Sequence, residues 1–159
     1  MLNWIKFITV FLFALSSIII VTVFLTANKP MASAKKSAIE TAIQSGQIVT
    51  ADYAQLYNGI HSGVTVFGAD KDGEKKAVFI DEIKKDEFKE VKVSDGITAD
   101  QAVKIVSDEL KVYKILHATL GMEEVGAVWE VAFKSENGKL SYVYVVFEDG
   151  QWWKRILNL

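Results

Sequence analysis

The chain opens on an apolar run that no charged residue interrupts. Nineteen uncharged residues from Phe7 to Leu25, mostly branched or aromatic, sit between Lys6 and Lys29. At about 1.5 Å rise per residue this run matches the ~30 Å hydrocarbon core of a bilayer. Trp4 stands where an interfacial aromatic is expected. The pattern predicts a membrane anchor over residues 1–29. A cleaved signal sequence is the rival, because Ala32-Ser33-Ala34 has the small-x-small form of a cleavage site. The apolar run, however, exceeds the ~7–15 residues of an ordinary signal core, and Lys6 is the only basic side chain before it. Counting lysines leaves orientation open: Lys29, Lys35 and Lys36 outnumber Lys6, but a five-residue tail is a weak basis for the positive-inside rule.

Beyond the anchor the apolar spacing changes. Residues 37–43 (Ser-Ala-Ile-Glu-Thr-Ala-Ile) and 101–107 (Gln-Ala-Val-Lys-Ile-Val-Ser) align at an offset of 64, each with small or branched apolar residues at i, i+1 and i+4. That is the buried stripe of an amphipathic helix. Strand-like alternation follows each helix, around Asp72-Gly73 and Asn137-Gly138, which read as two-residue type I′ hairpin signals. Val64 and Val66 correspond to Trp129 and Val131; Val78 and Ile80 correspond to Val143 and Val145. The plan predicted is one α-then-β unit used twice.

The second copy is the clearer one. Thr98-Ala99-Asp100-Gln101 is a capping box opening a helix to about Leu110. Lys111–Leu120 carries no decisive period. Ala127–Lys134 alternates, with Trp129, Val131 and Phe133 on one face and Glu130, Ala132 and Lys134 on the other. Leu140–Phe147 is apolar on both faces, as in a covered central strand, and Asp149-Gly150 turns the chain into Gln151–Leu157. A lone unit of ~60 residues is marginal, so the two are expected to pack together, joined through Val93–Ile97. Pro30, the single proline, is expected to separate the anchor from the first helix.

Charge and composition narrow the function. Lys6 and Lys29 belong to the anchor, so the other 130 residues carry 16 of the 18 basic and all 20 acidic side chains, net −4. Nucleic-acid binding asks for the opposite sign. The absence of cysteine excludes a disulfide scaffold and thiolate metal sites.

The candidate chemistry is sparse. His61 and His117 sit in different units with no second ligand at metal spacing, and no nucleophile motif supports a hydrolase. Asp70-Lys71-Asp72-Gly73 starts like a calcium loop, but Asp81 stands where the twelfth-position Glu would be, so a hairpin is the simpler reading. Asp81-Glu82 and Asp86-Glu87, broken by Lys84 and Lys85, read as solvated loop. Gln47-Ile48-Val49-Thr50-Ala51 nearly reproduces the Q-x-V-x-G loop of cystatins, with Ala51 in place of the glycine that allows close approach. Trp152-Trp153 face opposite sides of a strand, so one stays exposed as a candidate partner contact unless the other face is covered. Tyr144 on the neighbouring strand extends that patch. Packing between the two units is the favoured reading of the pair.

These residues carry a resemblance. Ile97-Thr98-Ala99-Asp100-Gln101-Ala102, Val128-Trp129-Glu130-Val131 and the Leu140–Gly150 strand and turn are similar to a PepSY-like unit. With the anchor and a related first unit, the whole chain resembles the TseB-like (YpmB-type) cell-wall elongation regulators of Gram-positive bacteria. The resemblance implies an α+β fold: an N-terminal transmembrane helix (1–29) followed by two tandem cystatin-like units, 30–93 and 97–159. It implies an extracytoplasmic, single-pass, non-enzymatic protein without cofactor or metal. Its partner would be a class B penicillin-binding transpeptidase; the aromatic patch read from the strands makes Tyr144, Trp152 and Trp153 the candidate contacts. The alternative is a PepSY- or cystatin-like peptidase inhibitor using Gln47 and Val49.

Overall fold

The computed structural model describes residues 2–27, 29–60, 62–81 and 88–159. His61 and the acidic run after Asp81 lie outside them. Residues 1–34 and 35–159 form separate compact units, and each is described by itself.

Helix α1 spans Leu2–Ala27. It is long and apolar enough to cross a membrane. Phe7, Phe13, Ile20 and Phe24 are exposed along it, so among the described residues of its own unit nothing covers this apolar surface. In water a bare apolar surface of this extent is unfavourable, whereas hydrocarbon solvates it. The hydroxyls fit the same environment. Thr9, Ser17, Thr22 and Thr26 each donate to the carbonyl four residues back, so these four hydroxyl hydrogens need no water.

Helix α2 (Lys29–Gln44) begins beside Pro30. Pro30 is the second described residue of α2, and the residue before Lys29 lies outside the described set.

Four antiparallel strands follow in the order β1 (Thr50–Asn58), β2 (Ser62–Ala69), β3 (Lys75–Asp81) and β4 (Phe88–Lys92). On one face the paired Val64–Ile80 and Val66–Val78 meet Ala38 and Ala42 of α2, with Ile48 closing the end. Alanines on the helix let its backbone approach the sheet closely. After a 3-10 turn at Val93–Asp95 comes α3 (Ala99–Glu109), opened by the expected capping box: Thr98 Oγ1 accepts from Gln101 N at 3.2 Å, and Gln101 Oε1 from Thr98 N at 2.8 Å. A second four-stranded antiparallel sheet runs β5 (Val112–Glu123), β6 (Gly126–Ser135), β7 (Leu140–Val146), β8 (Trp152–Ile156). The region without a decisive period is thus most of β5, the longest strand.

One core joins the two sheets. Phe67, Ala77 and Phe79, on the first sheet's face away from α2, pack with Trp129, Val131, Phe133, Val143 and Val145 and with Ala102 and Val106 of α3. Phe67 and Trp129 stack at 6.5 Å, and Trp129 Nε1 donates to Ile97 O at 2.8 Å. Each fully buried large apolar side chain contributes ~1.5–3 kcal/mol, so the shared layer is a large part of each sheet's stability.

The hairpins fall where Asp-Gly and Asn-Gly mark them, with a different turn. Asp70 N bonds Glu74 O and Gly73 N bonds Asp70 O; Ser135 N bonds Lys139 O and Gly138 N bonds Ser135 O. Only the glycines are left-handed (φ 83° at Gly73, 80° at Gly138). These are three-residue loops ending on a left-handed glycine, not the two-residue type I′ turns expected. Asp70 explains the choice: its Oδ1 accepts from Asp72 N at 2.9 Å and Glu74 N at 3.0 Å, fixing the longer loop.

Candidate functional site

The outer face of the second sheet is largely covered, as the apolar character of both faces of Leu140–Phe147 leads one to expect. Glu130 is 7 % exposed and Ala132 fully buried. Strand β1 is the cover, crossing β5 and laying Tyr57 over Gly121. A Cβ at Gly121 would run into the Tyr57 ring, so only glycine admits the crossing. The ring packs with Val128 and Tyr144, and its hydroxyl donates to Glu123 Oε1 at 2.5 Å. Ile60 N donates to the same oxygen at 3.1 Å. Thr65 Oγ1 donates to Leu120 O at 2.6 Å, tying β2 to β5 as well.

Beside this crossing lies a groove of about 470 Å³. Gln55, Leu56 and Asn58 of β1 form one wall; His117 and Thr119 of β5 and Glu130 of β6 form the floor. Tyr142 and Tyr144 of β7, with Ile156, complete the far wall, and Lys35 stands at the edge. Glu130 is held in place: His117 Nε2 lies 3.1 Å from its Oε1, and the Tyr144 hydroxyl engages the same carboxylate. Burial first, then the carboxylates of Glu123 and Glu130, push the Tyr57 and Tyr144 hydroxyls well above the usual tyrosine range. Both phenols therefore stay protonated donors. The site offers hydrogen bonds and aromatic surface, and no nucleophile paired to a base lines it.

The residues singled out from sequence scatter around this groove. Trp152 and Trp153 do face opposite sides. A bulge at Trp153 places Tyr144 opposite Lys154 and Val145 opposite Trp152. Trp152 packs against the shared core with the Arg155 guanidinium 5.1 Å from its ring centroid. Trp153 lies on the groove side, edge-on to Tyr144 at 6.0 Å. Both tryptophans are half-buried, and Tyr144 is 7 % exposed. His117, which gave no metal signal, serves Glu130. In the cystatin-like stretch Ile48 is buried in the first core and Val49 is exposed as the chain enters β1. Tyr57, Glu123 and Glu130 were not visible as a set in the sequence, since they come from three strands and share no spacing.

A family profile described as "Cell wall elongation regulator TseB-like domain" matches residues 37–81. The chain is 29 % identical to the probable cell wall elongation regulator TseB of Bacillus subtilis (strain 168), over 76 % of this chain and 75 % of the relative. It is also similar to the solved structure of the YpmB protein from Bacillus subtilis, with a TM-score of 0.68 at 29 % identity, covering 76 % of this chain and 94 % of that one. Together these similarities support a TseB/YpmB-type family. The TseB-like segment contains α2's core alanines and all of β1, so it includes Gln55 and Tyr57, the groove wall and its lock.

Proposed function

We propose that this protein is a membrane-anchored, non-enzymatic regulator of cell-wall elongation that acts by binding a class B penicillin-binding transpeptidase outside the cytoplasm. The observation that carries the reading is the similarity to a TseB regulator and to a YpmB structure across three quarters of the chain, at the same 29 % identity. Anchorage over residues 1–29 confines the protein to the plane in which a membrane-bound transpeptidase moves. Units 30–93 and 97–159, built on one repeated plan, supply the contact surface. Trp153 is the foremost contact, backed by Tyr144, with Trp152 on the opposite face.

The test is an in-membrane crosslink of the full chain followed by mass spectrometry of what it captures. Deleting residues 97–159 would remove half of the shared core, so point variants are needed. A penicillin-binding transpeptidase should be enriched, and Trp153→Ala should reduce its capture at least tenfold with thermal unfolding unchanged. Recovery of a peptidase instead, lost on changing Gln47 and Val49, would replace this reading with an inhibitor role.

A further inference from the structure

We propose that the groove between β1 and the outer face of the second sheet binds a short uncharged glycan of two or three sugar rings. The proposal stands on the groove itself and goes beyond the partner protein considered above. Size is the first argument: about 470 Å³ lies within the ~300–1,000 Å³ of small-molecule sites.

Hydrogen-bonding character is the second. The amides of Gln55 and Asn58, the Glu130 carboxylate and the His117 imidazole are planar groups that present donors or acceptors in fixed directions. Sugar hydroxyls donate and accept at once, and neighbouring hydroxyls on a ring suit such groups. Glu130 is prepared for this. It is more than nine-tenths buried and already oriented by His117 and Tyr144, yet a carboxylate has about four acceptor sites and these partners leave some free. Between the polar groups, Tyr142, Leu56 and Ile156 provide surface for the C–H faces of the rings.

Charge is the third argument, and it excludes the alternatives. An anion would be pressed against the Glu130 carboxylate. A cation would meet Lys35 at the edge and Lys154, whose Nζ already stands 5.6 Å from the Tyr144 centroid and 5.9 Å from that of Trp153. A like charge within several ångströms in a partly desolvated site is unfavourable. An uncharged ligand rich in hydroxyls satisfies every group without either conflict.

The full chain in lipid nanodiscs should be titrated by calorimetry with three neutral trimers: chitotriose, cellotriose and maltotriose. Fully deacetylated chitotriose supplies the cationic counterpart and trigalacturonate the anionic one. At least one neutral trimer should bind saturably, with both charged trimers at least tenfold weaker. Tyr142→Ala and Gln55→Ala should each weaken that binding at least tenfold without lowering the thermal midpoint. Asn58→Ala, at an exposed position, serves as the variant if Tyr142→Ala is unstable. Failure of all three neutral trimers to saturate at millimolar concentration would overturn the proposal. So would equal binding of a charged trimer, or groove variants that fold and bind like the parent.

Discussion

Tyr57 does two jobs with one side chain: its ring fills the gap over Gly121, and its hydroxyl satisfies a buried carboxylate. Among the described residues Glu123 Oε2 has no hydrogen-bond partner, so Oε1 carries the compensation for burying this group. Tyr57→Phe keeps the ring and removes the donor. It should lower unfolding free energy by about 1–3 kcal/mol, measured by urea denaturation, because a buried acceptor is left under-satisfied. Alkaline pH offers an independent check. Tyr57 and Tyr144 ionise above the ordinary value of 10.0 in the folded chain, so the unfolded chain releases those protons first. The stabilisation is complete below about pH 10 and is lost as pH rises toward the folded values. Stability measured from about pH 8 to 11 should fall at the top of that range. In Tyr57→Phe the fall should be shallower; an unchanged slope would show that other groups cause it.

At the scale of elements, the decisive contact is strand β1 crossing β5. Gly121→Ala puts a methyl group into the Tyr57 ring, and overpacking of this kind is unfavourable by about 1–3 kcal/mol. Pairing it with Tyr57→Ala, which makes room, should recover part of the Gly121→Ala loss in a double-mutant cycle; strict additivity would mean that the two residues do not meet. Most elements were legible because their signals are local. The Thr98 capping box, the α2 and α3 stripes, and the glycines at 73 and 138 each state their structure within a few residues. What stayed hidden depends on distant partners. The alternation put Glu130 on the face opposite Trp129, but nothing near it in sequence reveals that β1 will cover that face. Strand β5 showed no clean period because register irregularities between Val112 and Lys114 and between Ile115 and His117 break its alternation. The turn type was misread because Asp70, outside the two central residues, selects the longer loop. The resemblance was drawn from motifs in residues 97–150, whereas the family profile matches residues 37–81.

At the scale of the whole 35–159 body, the two sheets share a hydrophobic layer that neither completes alone. They should unfold together. In native-state hydrogen exchange, the slowest amides of β2 and β3 should open with the same free energy as those of β6 and β7. A first sheet that opens at clearly lower free energy would mean that the layer contributes little to it. The shared layer also has a consequence in time. A chain is made from its N-terminus, so Phe67 and Phe79 are complete while Trp129, their covering partner, is still fifty residues of synthesis away. At ~5–20 residues per second that interval is roughly three to ten seconds. For that long, the newborn first sheet displays a sticky aromatic face directly behind a membrane-seeking segment, and holding it apart from other chains falls to the machinery that receives it.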